Sequence, residues 1–223
     1  MIRLVCLDMA GTTVQDGGVV KESFLSAVTD MGLATGSPAA RDAVQYALDT
    51  MGQSKIDVFM EIFGGDSEAA GKANSMFEAA YERNIASLGV HAISGAAQTI
   101  SHLRESGVRV VLTTGFSPVT RDRLITSLGW AELVDDALSP ADAGRGRPAP
   151  DMILTAMLRF GIDDVREIAV AGDTTSDLLA GTRSGASVVA GVLTGAHTRE
   201  DLQTAPHTHI LNSVTELPGV LLS

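Results

Sequence analysis

The stretch Ile2–Thr13, IRLVCLDMAGTT, decides the fold of this 223-residue chain. It begins with a nearly continuous apolar run, Ile2–Leu7, which is typical of a strand buried on both faces of a parallel sheet. Asp8 ends the run, and a Gly-Thr-Thr turn follows closely. Because ligands of open α/β sheets bind outside the carboxyl ends of the strands, Asp8 is the first candidate functional residue.

Two later runs repeat this pattern. Val108–Thr114 and Glu167–Gly172 are also apolar, and each leads into a polar turn and a helical segment. The shorter runs SVVAGVL (187–193) and THIL (208–211) predict further strands. Strands that alternate with helices predict an α/β fold with a doubly wound parallel sheet.

One long segment interrupts this alternation. Residues 18–88 show no strand pattern, only helical segments separated by Gly, Ser and Pro. We therefore expect two domains: a catalytic core of residues 1–17 and 89–223, and a small helical cap of residues 18–88 inserted after the first strand.

Composition excludes several classes of function. The formal net charge of -11 and the pI near 4.7 argue against binding to nucleic acid or to an anionic membrane surface. The single Cys6 has no partner for an internal disulfide. Neither a signal-peptide segment in MIRLVCLD nor an apolar run of about 20 residues is present, so a cytoplasmic location is expected.

Further polar residues stand at the expected sheet edge. Thr114 and Gly115 end the second long run, Asp173 follows the third, and Arg147 lies in the intervening loop GRGRPAPD. A single Asp at a strand end is often only a helix cap. Four such signals in this order predict one crevice, in which two carboxylates would suit Mg²⁺.

The segments LDMAGTT, TTG, GRP and GDTTSD together resemble the four motifs of the haloacid dehalogenase superfamily, from Leu7 to Asp177. The resemblance implies a Rossmann-like core with a small helical cap, through which two copies of the chain would form a homodimer. It also implies an Mg²⁺-dependent hydrolase of a small phosphorylated or phosphonate substrate. The implied roles are a nucleophile (Asp8), phosphate and substrate contacts (Gly11, Thr12, Thr114, Gly115, Phe116), charge balance (Arg147) and the metal site (Asp8, the Ala10 carbonyl, Asp173 and, in support, Asp177).

Ala10 narrows the choice within this superfamily. Most of its phosphatases carry a second Asp at this position, where it protonates the leaving oxygen as a general acid. Dehalogenases and phosphonatases both lack that Asp, but the dehalogenases also lack the acidic motif that is intact here as GDTTSD. The sequence therefore resembles the phosphonatase branch, whose members cleave a carbon–phosphorus bond.

Cleavage of that bond needs an electron sink, since direct cleavage would expel a carbanion. A lysine that condenses with a neighbouring carbonyl provides one, because the protonated imine lets the carbon leave as an enamine. The segment MGQSKIDVF resembles the cap motif of the phosphonatases and supplies Met51 and Lys55. We expect Lys55 to form the imine with a pKa depressed by burial, and Met51 to exclude water beside it. The alternative is a solvated surface lysine.

Three positions depart from the phosphonatase pattern. Val58, Gly18 and Phe116 stand where that branch has His, Cys and Tyr. These departures leave open a related phosphonate substrate, or a phosphatase acting on a small phosphate monoester. A non-catalytic protein that binds a phosphorylated metabolite has no reason to retain Asp8, Asp173 and Asp177 together.

Overall fold

A computed structural model describes the whole chain, Met1–Ser223. Six strands form one parallel sheet in the order β3-β2-β1-β4-β5-β6, so the doubly wound α/β prediction is confirmed. The strand order reverses between β1 and β4, and at such a point the loops diverge and leave a crevice. The strands are β1 Leu4–Asp8, β2 Arg109–Thr113, β3 Asp136–Leu138, β4 Ile168–Gly172, β5 Val188–Val192 and β6 His209–Leu211.

The predicted strands all form, with slightly shorter bounds. Asp8 is the last residue of β1 and pairs with Thr113 of β2, rather than following the strand. The sequence did not predict β3, because a run of only three residues shows neither alternation nor a long apolar stretch. Every residue of β1 and β4 is buried, as expected for central parallel strands.

Helices connect the strands and cover the sheet. None of them combines the length and the apolar character needed to cross a bilayer. Several begin with the Ser or Thr caps that the sequence offers, so their first turns are fixed locally. They are α5 Ala96–Glu105, α6 Pro118–Leu128, α7 Pro140–Ala143, α8 Asp151–Arg159, α9 Thr175–Ser184, α10 Arg199–Leu202 and α11 Leu217–Leu221, with short 3-10 turns at Val165–Glu167 and Val214–Glu216.

Four helices, here called the four-helix segment, lie between β1 and α5: α1 Val19–Asp30, α2 Pro38–Asp49, α3 Lys55–Ile62 and α4 Ser67–Leu88. The segment contains no strand, as predicted. Aromatic rings form its centre: the Phe24 ring lies 4.9 Å from that of Phe59 and 4.6 Å from that of Phe77, centroid to centroid.

The four-helix segment packs directly on the carboxyl edge of the sheet. The Tyr81 ring of α4 lies 4.6 Å from the ring of Phe116, which follows β2. The Lys55 amide donates to the Gly115 carbonyl at 3.2 Å. One hydrophobic cluster runs from the sheet into the segment. A division into separate core and cap domains at residues 18 and 88 therefore stays a prediction.

Candidate active site

A cavity of about 200 Å³ lies between the carboxyl edge of the sheet and the four-helix segment. The sheet contributes the ends of β1, β2 and β4, and the segment contributes the turn before α3. This is the crevice that the strand order predicts. The expected site residues in its wall are Asp8, Ala10, Met51, Lys55, Thr114, Gly115, Phe116, Arg147 and Asp173.

A tight turn after β1 presents Asp8 and Ala10 to the cavity. The Met9 carbonyl accepts from the amides of Thr13 and Val14, at 2.9 and 2.7 Å. Gly11 has a φ of 91°, and a Cβ there would collide with the Asp173 carboxylate. Only glycine fits this left-handed position at such close approach.

Arg147 links two carboxylates in the floor of the site. Its guanidinium donates to Asp8 Oδ1 at 2.5 Å and also to Asp177, and all three side chains are buried. Burial raises the pKa of Asp8 to about 6, against the lowering effect of Arg147. Burial lowers the pKa of Arg147, but the carboxylates of Asp177 and Asp8 raise it by more than burial lowers it. The net shift is upward, so the guanidinium stays charged.

Asp173 precedes the first residue of α9, and Asp177 lies in its first turn. Asp173 faces the cavity and accepts from the Ala196 amide at 2.6 Å and from the Thr12 hydroxyl at 3.2 Å. Burial and the carboxylates of Asp8 and Asp177 raise the pKa of Asp173 well above its usual range. Asp177 caps α9 through Thr174 and does not line the cavity.

The cavity wall offers an oxygen donor set that fits Mg²⁺. Asp8 and Asp173 contribute carboxylates whose mutual repulsion a cation would relieve, and the Ala10 carbonyl accepts no main-chain hydrogen bond. No three carboxylate, imidazole or thiol side chains form a cluster of their own. Two carboxylates and a carbonyl suit a hard cation that keeps several waters.

Lys55 begins α3 and reaches into the cavity as a buried amine. Its amine lies over two aromatic rings, with Nζ 5.7 Å from the Phe24 centroid and 5.5 Å from that of Phe116. Burial, together with the nearby Arg147 guanidinium, lowers the pKa of Lys55 to about 8, against the raising effect of Asp8, Asp16 and Asp173. The alternative of a solvated surface lysine is therefore wrong, because only 7% of the residue is exposed.

The cavity wall differs from the expectation at its edges. Gly11 and Thr12, expected at the substrate, lie behind the wall against Asp173, where they support its carboxylate. Asp16 also lines the cavity, and the sequence pattern did not predict it because it lies in a turn rather than at a strand end. Residues 194–196 line the cavity as well; they follow the carboxyl end of β5, so the strand-end rule applied to β5 would have predicted them.

Comparisons with known proteins show which family the chain belongs to. The family model of the haloacid dehalogenase-like hydrolases matches residues 2–185. Phosphonoacetaldehyde hydrolase of Pseudomonas putida is 24% identical, covering 99% of this chain and 91% of that protein. The "Probable phosphatase IndB" of Dickeya dadantii is 25% identical, covering 98% of this chain and 93% of that protein.

A solved structure shows the same fold. The phosphonoacetaldehyde hydrolase-like protein of Oleispira antarctica superposes with a TM-score of 0.82 at 21% identity, over 99% of this chain and 91% of that one. The resemblance drawn from LDMAGTT, TTG, GRP and GDTTSD is thereby confirmed. The chain belongs to the haloacid dehalogenase-like hydrolases.

Proposed function

We propose that the chain hydrolyses the carbon–phosphorus bond of phosphonoacetaldehyde or a related small phosphonate aldehyde. Lys55 forms an imine with the aldehyde, and Asp8 accepts the phosphoryl group. The observation that carries the proposal is the buried amine of Lys55 in the same 200 Å³ cavity as the carboxylate of Asp8.

The lowered pKa of Lys55 supports the imine. With a pKa of about 8, roughly a tenth of the lysine is a free amine at neutral pH, far more than at its ordinary value of 10.5. The ring faces of Phe24 and Phe116 attract the ammonium only weakly, and Lys55 forms no salt bridge that would hold it in the charged form. Such desolvation is how proteins activate a nucleophilic lysine.

The chemistry divides between the two ends of the cavity. Lys55 Nζ bonds to the aldehyde carbon and water leaves, which gives a protonated imine. An Asp8 oxygen attacks phosphorus, the pair of the breaking C–P bond forms a C=C bond, and the iminium nitrogen takes up the displaced pair. The resulting enamine gains a proton on carbon, and water hydrolyses its imine to free Lys55 and the product aldehyde. A second water hydrolyses the aspartyl phosphate to inorganic phosphate.

The remaining groups bind the phosphoryl end. The Thr114 hydroxyl accepts from the Phe116 amide at 3.2 Å, which fixes the loop that carries the Gly115 amide. Arg147 holds Asp8 and neutralises charge beside it. Asp8, Asp173 and the Ala10 carbonyl would hold Mg²⁺, which would screen the repulsion between the attacking carboxylate and the phosphoryl oxygens.

A second candidate is a phosphatase for small phosphate monoesters. Val58 and Phe116 favour it, because they surround Lys55 with apolar groups where imine chemistry needs proton transfers. The Dickeya dadantii relative is also named as a phosphatase. This function would leave Lys55 only a binding role, so monoester turnover that persists in Lys55→Met would favour it.

Borohydride trapping tests the proposal directly. The chain has three lysines, Lys21, Lys55 and Lys72, so peptide mass spectrometry assigns an adduct without ambiguity. With phosphonoacetaldehyde and borohydride we expect a reduced adduct on Lys55, absent in Lys55→Met. Lys72→Met is the matched control, because Lys72 is an exposed lysine of the same segment. A folded protein that forms no adduct on Lys55 would contradict the imine.

A further inference from the structure

Imine formation needs a proton acceptor close to Lys55. Most charged groups in the cavity wall already accept hydrogen bonds from, or donate them to, other side chains. Asp8 is paired with Arg147, and Asp173 accepts from Thr12 and Ala196. Both carboxylates serve the phosphoryl end in the proposed function. A base for the aldehyde end must therefore be a different group.

Asp16 is the remaining carboxylate in the cavity wall. It lies in the turn between β1 and α1 and accepts only from main-chain amides, those of Gly18 at 3.3 Å and Val20 at 3.1 Å. It forms no salt bridge, so its charge is not committed to a cation. It lines the same cavity as Lys55, and its carboxylate raises the pKa of that lysine.

Asp16 also stands between the reaction cavity and a second cavity of about 90 Å³. Exposed residues, including Gln15, Gly89 and His91, form part of the wall of this second cavity. Asp16 and Gly17 belong to both walls. Asp16 is therefore open to solvent on the side of the second cavity.

Tyr81 lines the second cavity but is a poor base. Burial raises its pKa, and the carboxylates of Asp16 and Asp8 raise it further, so the hydroxyl keeps its proton. Val58, one turn along α3 from the lysine, and the rings of Phe24 and Phe116 beside Nζ have no titratable group. Asp16 is thus the group that remains as a base for Lys55, and it lies in the wall of the same cavity.

We propose that Asp16 is the general acid–base group of imine formation, a catalytic role that rests on the proposed function. The Asp16 carboxylate takes one proton from the Lys55 ammonium, and the free amine adds to the aldehyde carbon. A proton passes from nitrogen to oxygen, which gives a neutral carbinolamine. Protonated Asp16 then donates to the hydroxyl, the C–O bond breaks, water leaves, and the nitrogen pair forms the protonated imine. Asp16 ends as a carboxylate, so protons and charge balance.

The test compares the rate of adduct formation on Lys55 in the wild type and in Asp16→Asn. Samples are quenched with borohydride at timed intervals, and the Lys55 adduct is measured in each. The amide oxygen of asparagine can still accept from the Val20 amide, so the substitution removes the charge and loses only the longer bond from Gly18. Asp66→Asn is the matched control, because Asp66 caps α4 through the amides of Glu68 and Ala69, both at 3.0 Å. We expect Asp16→Asn to slow adduct formation by about 100-fold, the low end of general acid–base contributions, with the same final yield.

The outcomes separate this proposal from the one on which it rests. An adduct that forms at the wild-type rate in Asp16→Asn would overturn the role of Asp16 and leave the imine intact. The absence of any Lys55 adduct in the wild type would overturn both. A slow rate with full final yield supports the proposal, because a folding defect would lower the yield as well.

Discussion

Lys55 places a cationic side chain where water is largely excluded, and this lowers the free energy of unfolding. Its folded pKa of about 8 lies below its ordinary value of 10.5, so the unfolded chain binds more protons between these values and stability rises with pH there. Below pH 8 the cost is complete, on the order of 3 kcal/mol. We expect Lys55→Met to raise the free energy of unfolding by about 2–3 kcal/mol at pH 7, with the gain vanishing near pH 10.5. Urea unfolding at both pH values measures it, and equal stabilities at pH 7 would contradict the buried ammonium.

Asp8→Asn separates the two halves of the proposed chemistry. A carboxamide forms no aspartyl phosphate, so we expect phosphate release to fall by more than about 10³-fold. In the proposed chemistry imine formation needs the Lys55 amine and not the Asp8 carboxylate, so the borohydride adduct on Lys55 should persist. Phosphate release and adduct yield are measured on the same sample. Asp30→Asn, at the exposed end of α1, is the control. Loss of the adduct together with turnover would mean that the two ends are not independent.

Among contacts between secondary-structure elements, the hydrogen bonds of Glu78 connect α4 to the first turn of α6. Its carboxylate accepts from the Ser117 amide at 3.1 Å and the Thr120 hydroxyl at 2.6 Å, and also from the Ser117 hydroxyl. Ser117 directly follows the loop that carries Gly115 and Phe116. We expect Glu78→Gln to lower the free energy of unfolding by about 1–3 kcal/mol, because one amide oxygen replaces two charged acceptors. Denaturant unfolding gives the value.

The neighbouring ion pair provides the control for Glu78. Glu82 on the same helix contacts Arg123 at 3.2 Å, but this pair is exposed to solvent. Exposed pairs contribute little, so Glu82→Gln should cost less than about 1 kcal/mol. Equal losses in the two variants would mean that Glu78 acts only as surface charge.

Gly115 lets the turn before α3 approach the end of β2. A Cβ at Gly115 would collide with the Gln53 carbonyl oxygen, so the turn that carries Lys55 would have to retreat. We expect Gly115→Ala to lower kcat/KM by at least about 10-fold, because Lys55 and Asp8 then hold the substrate less accurately. Steady-state kinetics measures it. Gly71→Ala, in open space on α4, should leave activity unchanged and stabilise the helix by up to about 1 kcal/mol.

For the whole molecule, the sequence predicted those parts that local pattern determines. Buried parallel strands give continuous apolar runs, so β1, β2 and β4 and the residues at their ends could be recognised. β3 has three residues and no pattern of its own, and its position depends on pairing with β2. Asp16 could not be found as a site residue because its place in the cavity depends on how the four-helix segment packs on the sheet. The burial of Lys55 also depends on this packing. The local pattern favoured a solvated lysine, and only the resemblance to the phosphonatase cap motif predicted a buried one.

The proposed Mg²⁺ site would form only at the assembled sheet edge, since its donors come from the ends of β1 and β4. A ligand that binds only the folded chain stabilises it, by about 1.4 kcal/mol at ten times its Kd. For a chain of this length we expect Mg²⁺ to raise the unfolding temperature by roughly 3–6 °C under that condition. Asp173→Asn should abolish the shift, because its amide oxygen can still accept from Ala196 and its NH₂ can donate to the Thr12 hydroxyl, but a neutral amide binds Mg²⁺ poorly. Asp164→Asn, at an exposed turn, should keep the shift. Calorimetry with and without Mg²⁺ measures all three, and an equal shift in Asp173→Asn would place the metal elsewhere.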